Sequence, residues 1–390
     1  NNQLLVNKVM DTVLNIFSTS LHCYYCRICS GCDFQGQELA PPVFSSLQGF
    51  FVKQAPHLEI PLIYQEPQGW RFRAKLAVRG CSDSPRIGLF QRGTHNVVSI
   101  PHCPLHNKAI LKSYQQIRQT MIDFQVIPYD ECKGEVRYLQ FLVEKKSQTV
   151  QLSIVVNLSK PTNKLDAWIH HLYSLGEFHS IWLNFNTEKT NRIFSDNWLL
   201  CAGELYLQEK FGSMLCSIHP ACFVQAHLSL FEHALSIICQ EALRSKRVCE
   251  CYSGIGVIGL NLASFSKEVH CIEMNPFAKQ CFDQTCSLLP QNITNKVFFH
   301  QTSTEKSLRL IKTSEVIVVD PPRKGLEALV LDAINQSRAE QLIYLSCSTS
   351  SFIRDCDALL KNGWQVEKVF GYLFFPGSNH VETLCILKRN

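Results

Sequence analysis

Short apolar runs alternate with longer amphipathic stretches over the last 170 residues of the chain. Seven of these runs are rich in β-branched and aromatic residues and are bounded by Gly, Pro, Asn or Ser, a pattern that predicts strands. They cover residues 247–252, 268–274, 296–301, 315–320, 341–347, 364–370 and 382–388. Helical patterns at 275–289 and 326–336 separate some of these runs. The alternation predicts an α/β domain with a parallel sheet, and the missing helix between the last two strands predicts an antiparallel hairpin at a sheet edge.

The middle of the chain follows a different pattern. Apolar runs at 136–144 and 149–158 predict a hairpin, and a helix near 165–175 and a strand at 180–186 complete a small α+β unit. The segment before this unit is irregular and rich in cysteine, although its first residues predict an amphipathic helix. The chain is therefore predicted to have three regions, which are residues 1–110, 111–220 and 221–390.

Composition narrows the class of protein. The chain has 390 residues, of which 46% are apolar and 18% are charged, so it can bury a substantial core and is not disordered in bulk. No apolar run approaches the roughly 18 residues that a membrane span requires. Nineteen cysteines, an odd number in a long chain, often lie inside strand-like runs, which favours a reduced cytoplasmic protein over a disulfide framework.

Positive charge is concentrated in one stretch. Residues 70–113 carry eight Lys or Arg and one acid, a net charge of +7, whereas the whole chain has +5. Alternation along the predicted strand at 70–80 puts Arg71, Arg73 and Lys75 on one strand face. Such a surface attracts a phosphate backbone, which favours nucleic-acid binding over the alternative of a solvated strand face.

Cysteines cluster near the start of the chain. Four of them lie three residues apart, at Cys23, Cys26, Cys29 and Cys32. Cys103 follows later, directly before a proline. Closely spaced thiolates ahead of a distant Cys-Pro suit an iron–sulfur cluster, although Zn²⁺ uses the same ligands and reduced structural thiols are a further alternative. Five candidates for four coordination positions leave one cysteine over, and the composition leaves open which one.

A glycine loop follows the first strand of the C-terminal region. Gly254 and Gly256 stand between the run at 247–252 and a helical pattern, and Glu273 closes the next strand. Glycines let a ligand approach the backbone at the carboxyl end of a strand, and an acidic residue there can accept hydrogen bonds from both hydroxyls of a ribose. The arrangement predicts a site for a dinucleotide or for S-adenosylmethionine, with tight packing of helix on strand as the alternative.

Three motifs near the C-terminus carry a specific resemblance. They are VVDPPRKGL at 318–326, YLSCSTSSFIRD at 344–355 and FFPGSNHVETLCIL at 374–387. Together with CFVQAH at 222–227 and the glycine loop, they resemble the RNA uracil-5-methyltransferase family, in particular its iron–sulfur-containing 23S rRNA 5-methyluridine methyltransferases. The resemblance implies a Rossmann-like, seven-stranded S-adenosylmethionine-dependent methyltransferase domain at the C-terminus. It also implies that a small α+β central domain with an Fe–S cluster precedes this domain.

The same resemblance implies roles for individual residues. Cys347 stands at the position of the family's nucleophile, and Glu382 at that of its proton-abstracting base. The expected cofactor-binding residues are Gln225, Tyr252, Gly254, Gly256, Glu273 and Asp320. Phe223 matches an aromatic position beside the flipped base. The implied ligands of a 4Fe–4S cluster are Cys23, Cys29, Cys32 and Cys103, with Gln35 completing the family's spacing and Cys26 left over.

Several positions depart from the family pattern. Val257 and Thr302 differ at secondary contacts to the cofactor. Glu250 replaces an Asp, and Ser30 replaces a Gly between two of the cysteines. The nucleophile and the base match the pattern, so the departures leave the expected chemistry in place.

The resulting hypothesis is an enzyme that forms 5-methyluridine in RNA, most specifically in 23S ribosomal RNA, with S-adenosylmethionine and a 4Fe–4S cluster as cofactors. Residues 1–110 are then a cysteine-cluster and basic RNA-facing region, 111–220 an RNA-recognition domain and 221–390 the methyltransferase domain. We expect a cytoplasmic monomer without membrane attachment. The alternatives are a transfer-RNA methyltransferase of the same family, a non-catalytic iron–sulfur RNA-binding or redox-sensing protein, and an NAD-dependent oxidoreductase, which leaves the C-terminal motifs unexplained.

Overall fold

The computed structural model describes residues 23–33, 39–130 and 133–389, and the helix predicted for the first residues and Gln35 lie outside them. The described helices are α1 (Pro42–Gln54), α2 (Lys108–Asp123), α3 (Asn163–Ser174), α4 (Leu228–Glu241), α5 (Val257–Leu262), α6 (Pro276–Ser287), α7 (Gln291–Thr294), α8 (Leu308–Thr313), α9 (Ala328–Asn335) and α10 (Thr349–Lys361). The strands are β1 (Leu62–Ile63), β2 (Arg73–Cys81), β3 (Ser84–Phe90), β4 (Val97–Ser99), β5 (Val136–Val143), β6 (Val150–Val156), β7 (Phe178–Phe185), β8 (Trp198–Gly203), β9 (Leu207–Phe211), β10 (Met214–Ile218), β11 (Arg247–Cys251), β12 (Glu268–Glu273), β13 (Val297–Gln301), β14 (Val316–Val319), β15 (Gln341–Ser346), β16 (Gln365–Tyr372) and β17 (Glu382–Lys388). None of the described helices is long and apolar enough to cross a membrane.

The C-terminal half is built on an eight-stranded sheet with the strand order β1-β16-β17-β15-β14-β11-β12-β13. Strands β11 to β17 correspond to the seven runs predicted as strands. Strands β11 to β15 are parallel, and β17 runs antiparallel to β15 and β16, which confirms the predicted hairpin. The predicted strand count is one short, because Leu62 and Ile63 pair in parallel with β16 as an eighth strand.

Helices cover both faces of this sheet. On one face, α4 and α6 bury Phe231 and Phe282 against the strands. On the other face, α1, α9 and α10 bury Phe51, Val330 and Phe352. Burial of apolar surface on both faces explains why these strands read as nearly continuous apolar runs in the sequence.

A second sheet has seven strands in the order β4-β3-β2-β5-β6-β7-β8. Its antiparallel β5–β6 pair confirms the predicted hairpin, and α3 connects the parallel strands β6 and β7. Helices α2 and α3 pack on one face through Tyr114 and Trp168, which are fully buried. This sheet is the scaffold of the α+β unit.

The two sheets do not follow the boundaries predicted after residues 110 and 220. Strands β2, β3 and β4 join β5 in the second sheet, whereas α1 and β1 join the C-terminal sheet. The β9–β10 hairpin also packs against the C-terminal core. Pairing between distant segments leaves no trace in a local pattern of apolar residues, so the sequence could not indicate this grouping.

Candidate active site

The parallel strands of the C-terminal sheet end at one edge, which is where ligands bind in open α/β sheets. Tyr252 follows β11, Glu273 ends β12, Asp320 follows β14 and Cys347 follows β15. The topology therefore brings these four predicted site residues to the same edge.

Positive backbone torsion angles shape the loop after β11. Tyr252, Gly254 and Gly256 have φ angles of 60°, 53° and 81°. A Cβ on Gly256 would lie 2.7 Å from the ring of Phe282, so glycine is required there for packing as well as for its torsion angle. A Cβ on Gly254 would meet nothing within 4 Å, and the Gly254 N–H donates to Glu273 Oε2 at 3.2 Å. Gly254 thus borders open space, whereas Gly256 packs against α6.

Two cavities adjoin this loop, and Tyr252 lines both. The first is lined by Phe223, Gln225, Tyr252, Gly254 and Asp320, among others. The second is lined by Tyr252, Glu273, Thr302 and Glu327, among others. Glu327, which had no expected role, accepts a hydrogen bond from the Tyr252 hydroxyl. All of the predicted cofactor-binding residues except Gly256 line one of these two cavities.

Glu250 fastens the start of α5 to the sheet. Its Oε2 accepts a hydrogen bond from Gly259 N at 2.8 Å and lies 3.3 Å from Cys271 Sγ. Burial raises the pKa of Glu250 to about 8. This carboxyl, which replaces the Asp of the family pattern, therefore has a packing partner inside the fold.

Arg73 holds the segment that carries Phe223. Its guanidinium donates to the backbone carbonyls of Cys222 and Val224 at 3.0 and 3.1 Å. Its Cζ lies 5.2 Å from the centre of the Phe223 ring, which is itself 65% exposed. Burial lowers the pKa of Arg73 to about 10. The second sheet thereby fixes a segment that lines the first cavity.

The three cations predicted as RNA contacts have different surroundings. Arg71 precedes β2, and its Cζ lies 4.7 Å from the Trp70 ring centre. The guanidinium of Arg73 contacts backbone carbonyls. Lys75 is exposed, and its Nζ lies 4.6 Å from the ring centre of Phe194. Burial and the nearby Arg73 lower the pKa of Lys75 to about 8. RNA contact stays a prediction for all three, and Lys75 is the most exposed of them.

Cys347 and Glu382 lie side by side at the edge of the sheet. Ser346 pairs with Thr383 across β15 and β17, so the residue that follows β15 adjoins the first residue of β17. Cys347 Sγ lies 3.9 Å from the carbonyl oxygen of Pro321. Glu382 is only 4% exposed, and its Oε2 has no hydrogen-bond partner among the described residues. The sheet thus brings together the residues predicted as nucleophile and base.

Burial and neighbouring acids perturb the titration of this pair. Burial and, to a smaller extent, the nearby Asp320 raise the pKa of Glu382 to about 8, against the opposing effect of Arg323. Burial raises the pKa of the Cys347 thiol to about 11, with Glu382 and Asp320 acting in the same direction. Burial also raises the pKa of Asp320 to about 7. Arg323, a member of the DPPR motif without an expected role, is the cation that favours the ionised forms of Glu382 and Cys347.

The cysteines predicted as cluster ligands line one cavity. Its lining includes Cys23, Cys26, Cys29, Cys32, Cys103, Arg71 and His106. Arg71 Nε and His106 Nδ1 are buried there without a hydrogen-bond partner among the described residues. Among all of the described residues, no three His, Cys, Asp or Glu side chains are grouped closely enough to hold one metal ion. The thiols therefore surround a shared space without converging on a single point.

The order and direction of the strands, together with the loops at this edge of the sheet, define an α/β S-adenosylmethionine-dependent methyltransferase fold. A similar solved structure is the Pyrococcus abyssi tRNA (uracil-54, C5)-methyltransferase in complex with S-adenosyl-L-homocysteine. The two superpose with a TM-score of 0.74, covering 96% of this chain and 87% of the other, at 19% sequence identity. At this identity the likeness concerns the fold.

Sequence comparison identifies the family. The tRNA (Uracil-5-)-methyltransferase family model matches residues 50–390. An uncharacterized RNA methyltransferase of Protochlamydia amoebophila is 36% identical over 96% of this chain and 99% of its own length. Another uncharacterized RNA methyltransferase, from Nostoc sp., is 26% identical over 94% of this chain and 82% of its own. The chain therefore belongs to the tRNA (uracil-5-)-methyltransferase family of S-adenosylmethionine-dependent RNA methyltransferases, which confirms the resemblance at the level of the family.

The raised pKa of Glu382 predicts a pH-dependent stability difference. In the unfolded chain this carboxyl titrates near 4.5, whereas in the folded protein its pKa is about 8. Between these values the unfolded state binds fewer protons, so the free energy of unfolding falls as the pH rises. Glu382→Gln removes this effect, and we expect the variant to gain up to roughly 3 kcal/mol over the wild type at pH 7.

Urea unfolding of the ligand-free protein at pH 5, 6.5 and 8 measures this difference. The advantage of Glu382→Gln should be small at pH 5 and grow towards pH 8. Glu59→Gln, which alters an exposed carboxylate, is the control and should show no such trend. A difference between Glu382→Gln and wild type that is constant with pH would contradict the prediction.

Proposed function

We propose that this chain forms 5-methyluridine in RNA through a covalent bond between Cys347 and carbon 6 of the uracil ring. The observation that supports this most directly is that Cys347 and Glu382 adjoin each other beside the two cavities at the glycine loop. A nucleophile and a base at adjoining strand ends can act on neighbouring atoms of one flat ring.

The chemistry explains why both residues are needed. Carbon 5 of uracil is a weak nucleophile, and addition of a thiolate to carbon 6 makes it enolate-like. Bound S-adenosylmethionine supplies the methyl group as a sulfonium. Glu382 then takes the proton from carbon 5, after which the bond between Cys347 Sγ and carbon 6 breaks and the thiolate leaves. Thiolate suits this cycle because it is both a strong nucleophile and a leaving group.

The protonation states must change before the reaction. Free Cys347 holds its proton at neutral pH because burial and the neighbouring acids raise the pKa of its thiol. Arg323 opposes this effect and favours the thiolate. Glu382 must be ionised when it takes the carbon-5 proton, so we expect methylation to be faster at pH values near or above its raised pKa.

The target nucleotide must leave its stack to reach Cys347, because carbon 6 is covered inside folded RNA. Phe223 is 65% exposed, lines the first cavity and is held from behind by Arg73. A flipped base can stack on such a ring and recover part of the cost of unstacking. We therefore assign Phe223 to the base. The cofactor is assigned to the predicted residues that line the two cavities, which are Gln225, Tyr252, Gly254, Glu273 and Asp320.

The cysteine cavity suits a 4Fe–4S cluster held by Cys23, Cys29, Cys32 and Cys103. A single Zn²⁺ needs its sulfur ligands about 2.3 Å from one ion, and the thiols here do not converge in that way. In a 4Fe–4S cluster each thiolate binds its own iron, so the sulfurs stand further apart. The buried guanidinium of Arg71 complements the negative charge of such thiolates. We assign the cluster a structural role.

Ribosomal RNA is the substrate that we propose, because cysteines in this pattern accompany the ribosomal members that the sequence resembles. Transfer RNA is the second candidate, favoured by the name of the matching family model and by the fold of the Pyrococcus abyssi enzyme. Nucleoside mass spectrometry of both RNA pools, from cells with and without the protein, distinguishes them. We expect 5-methyluridine to be lost from ribosomal RNA, and its loss from transfer RNA alone would select the second candidate.

Covalent trapping tests the roles of Cys347 and Glu382. Glu382→Gln should permit attack and methyl transfer but not elimination, so the methylated RNA should stay attached to the protein. Wild type should be trapped in the same way by RNA that carries 5-fluorouridine, because fluorine cannot leave as a cation. Cys347→Ala should bind RNA and S-adenosyl-L-homocysteine yet form no adduct. Denaturing electrophoresis with a labelled methyl group detects each adduct.

The control is Cys81→Ala, which removes an exposed cysteine and should be trapped like the wild type. The RNA is taken from cells that lack the protein, so that its target uridine is unmethylated. An adduct that persists in Cys347→Ala would assign the nucleophile to another cysteine.

Iron analysis tests the ligand assignment of the cysteine cavity. Cys103→Ser should lower the iron content of anaerobically purified protein, because it removes a proposed ligand. Cys26→Ser and the remote control Cys81→Ser should retain iron. Equal loss in Cys26→Ser and Cys103→Ser would contradict the assignment, and stoichiometric zinc would contradict the cluster itself.

A further inference from the structure

The loop between β7 and β8 is held in a defined shape by two buried asparagines. Asn184 Nδ2 donates to the carbonyls of Ser195 and Asn197, both at 3.1 Å, and its Oδ1 accepts from Ser195 N at 2.9 Å. Asn186 Nδ2 donates to the carbonyl of Arg192 at 2.8 Å. Buried amides with satisfied hydrogen bonds fix a loop, because breaking these bonds leaves unpaired polar groups. These bonds thus hold the backbone of the loop at 192–197 in a defined path.

This loop forms one wall of a groove of about 550 Å³. The other wall runs from Met274, just before α6, to Phe277 in its first turn. The volume falls in the roughly 300–1,000 Å³ range of sites for small ligands, to which a single nucleotide belongs. We call this space the loop groove.

The loop groove combines apolar surface with positive charge. Phe194 and Trp198 lie with ring centres 5.1 Å apart, and Met274, on the opposite wall, is 69% exposed. Lys75, Arg192 and Asp196 also line it, so its charged side chains leave a net charge of +1. Arg192 is paired with Asp196, but exposed ion pairs contribute little free energy, so a phosphate can compete for the guanidinium.

The loop groove adjoins the proposed active site. Ala221, in its lining, stands two residues before Phe223, which lines the first cavity. Met274 lines both the loop groove and the second cavity. A strand of RNA whose target base enters beside Phe223 therefore has its neighbouring nucleotide at the entrance of the loop groove.

We infer that the loop groove binds a nucleotide adjacent to the target uridine, with its base against Phe194, Trp198 and Met274 and its phosphate near Lys75 and Arg192. This inference rests on the proposed function, because it needs a uridine in the active site. Unpaired bases stack on such surfaces, and cations at the rim attract the backbone. The partly exposed rings of Phe194 and Trp198 and the exposed Met274 lie beside two cations and next to the pocket for the target base, which favours RNA as the occupant.

Binding of short single-stranded oligoribonucleotides with one central uridine tests the inference. The probe is a fluorescein-labelled oligoadenylate with that uridine, and two further probes lack the base before or after it. Phe194→Ala should weaken binding of the intact probe by about tenfold, which is the scale of one lost base–aromatic stack. Met274→Ala should also weaken binding of the intact probe. The Met274 side chain is exposed, so this substitution leaves the core unchanged. Phe194→Tyr keeps the ring and should retain the wild-type affinity.

The probes that lack one base locate the effect. In the wild type, removal of the base that occupies the loop groove should weaken binding as much as Phe194→Ala does. Phe194→Ala should then bind the intact probe and the probe that lacks this base with equal affinity. Arg192→Gln should lower the slope of log affinity against log salt by about one.

The matched controls lie on the β9–β10 hairpin, where Leu215 and Lys210 are cross-strand neighbours and both exposed. Leu215→Ala and Lys210→Gln should leave affinity and salt slope unchanged. The inference is overturned if Phe194→Ala and Arg192→Gln behave like these controls, or if Phe194→Ala weakens all probes by the same factor. Trapping of the wild type by 5-fluorouridine RNA is measured in parallel. If the predicted binding pattern is not found but the adduct forms, the inference about the loop groove is wrong and the proposed function still stands. Absence of the adduct, with the binding pattern as expected, would instead refute the chemistry.

Discussion

The direction of β17 is the constraint on which the active site depends. In a parallel sheet the first residue of a strand lies at the amino edge, far from the loops that bind ligand. Because β17 runs antiparallel between β15 and β16, its first residue, Glu382, reaches the carboxyl edge next to Cys347. The proposed base and the proposed nucleophile, which are 35 positions apart in the chain, thus become neighbours through backbone pairing.

The same placement explains the electrostatics of the site. A carboxyl at the centre of a sheet edge, beside Asp320, is shielded from water and keeps its proton to a higher pH than an exposed acid does. The site is therefore less stable than an apolar one of the same shape, as is common where a protein holds reactive groups. Arg323 reduces this loss of stability, because its positive charge favours the ionised form of Glu382 although the two do not form a direct ion pair.

Local sequence patterns accounted for a large part of the architecture, and the remainder depended on distant contacts. Strands β11 to β17 were predicted because each is an apolar run between turn residues, a property of a few neighbouring positions. The strand β1 has two residues, and nothing in them indicates that they pair with β16. Arg73 shows the limit for side chains: alternation places it on a strand face, but only the fold reveals that carbonyls of residues 222 and 224 occupy its guanidinium. The motifs gave Cys347 and Glu382 their expected roles through family resemblance. The loop at 187–197 has no motif, and its shape depends on the buried Asn184 and Asn186.

The two stretches of chain that carry the cavity's cysteines are each bonded to an element that shapes the proposed active site. Asp33 N donates to the carbonyl of Gly377 at 2.6 Å, and Asp33 Oδ2 accepts from Asn379 N at 3.3 Å, in the loop that leads to Glu382. On the other side, Arg71 N donates to the carbonyl of Leu105 at 2.9 Å, close to Cys103 and just before β2 with Arg73. A group bound by the cysteines would therefore tie the loop before the base to the strand that holds Phe223. Such a tie requires no change of oxidation state, which is consistent with the proposed structural role.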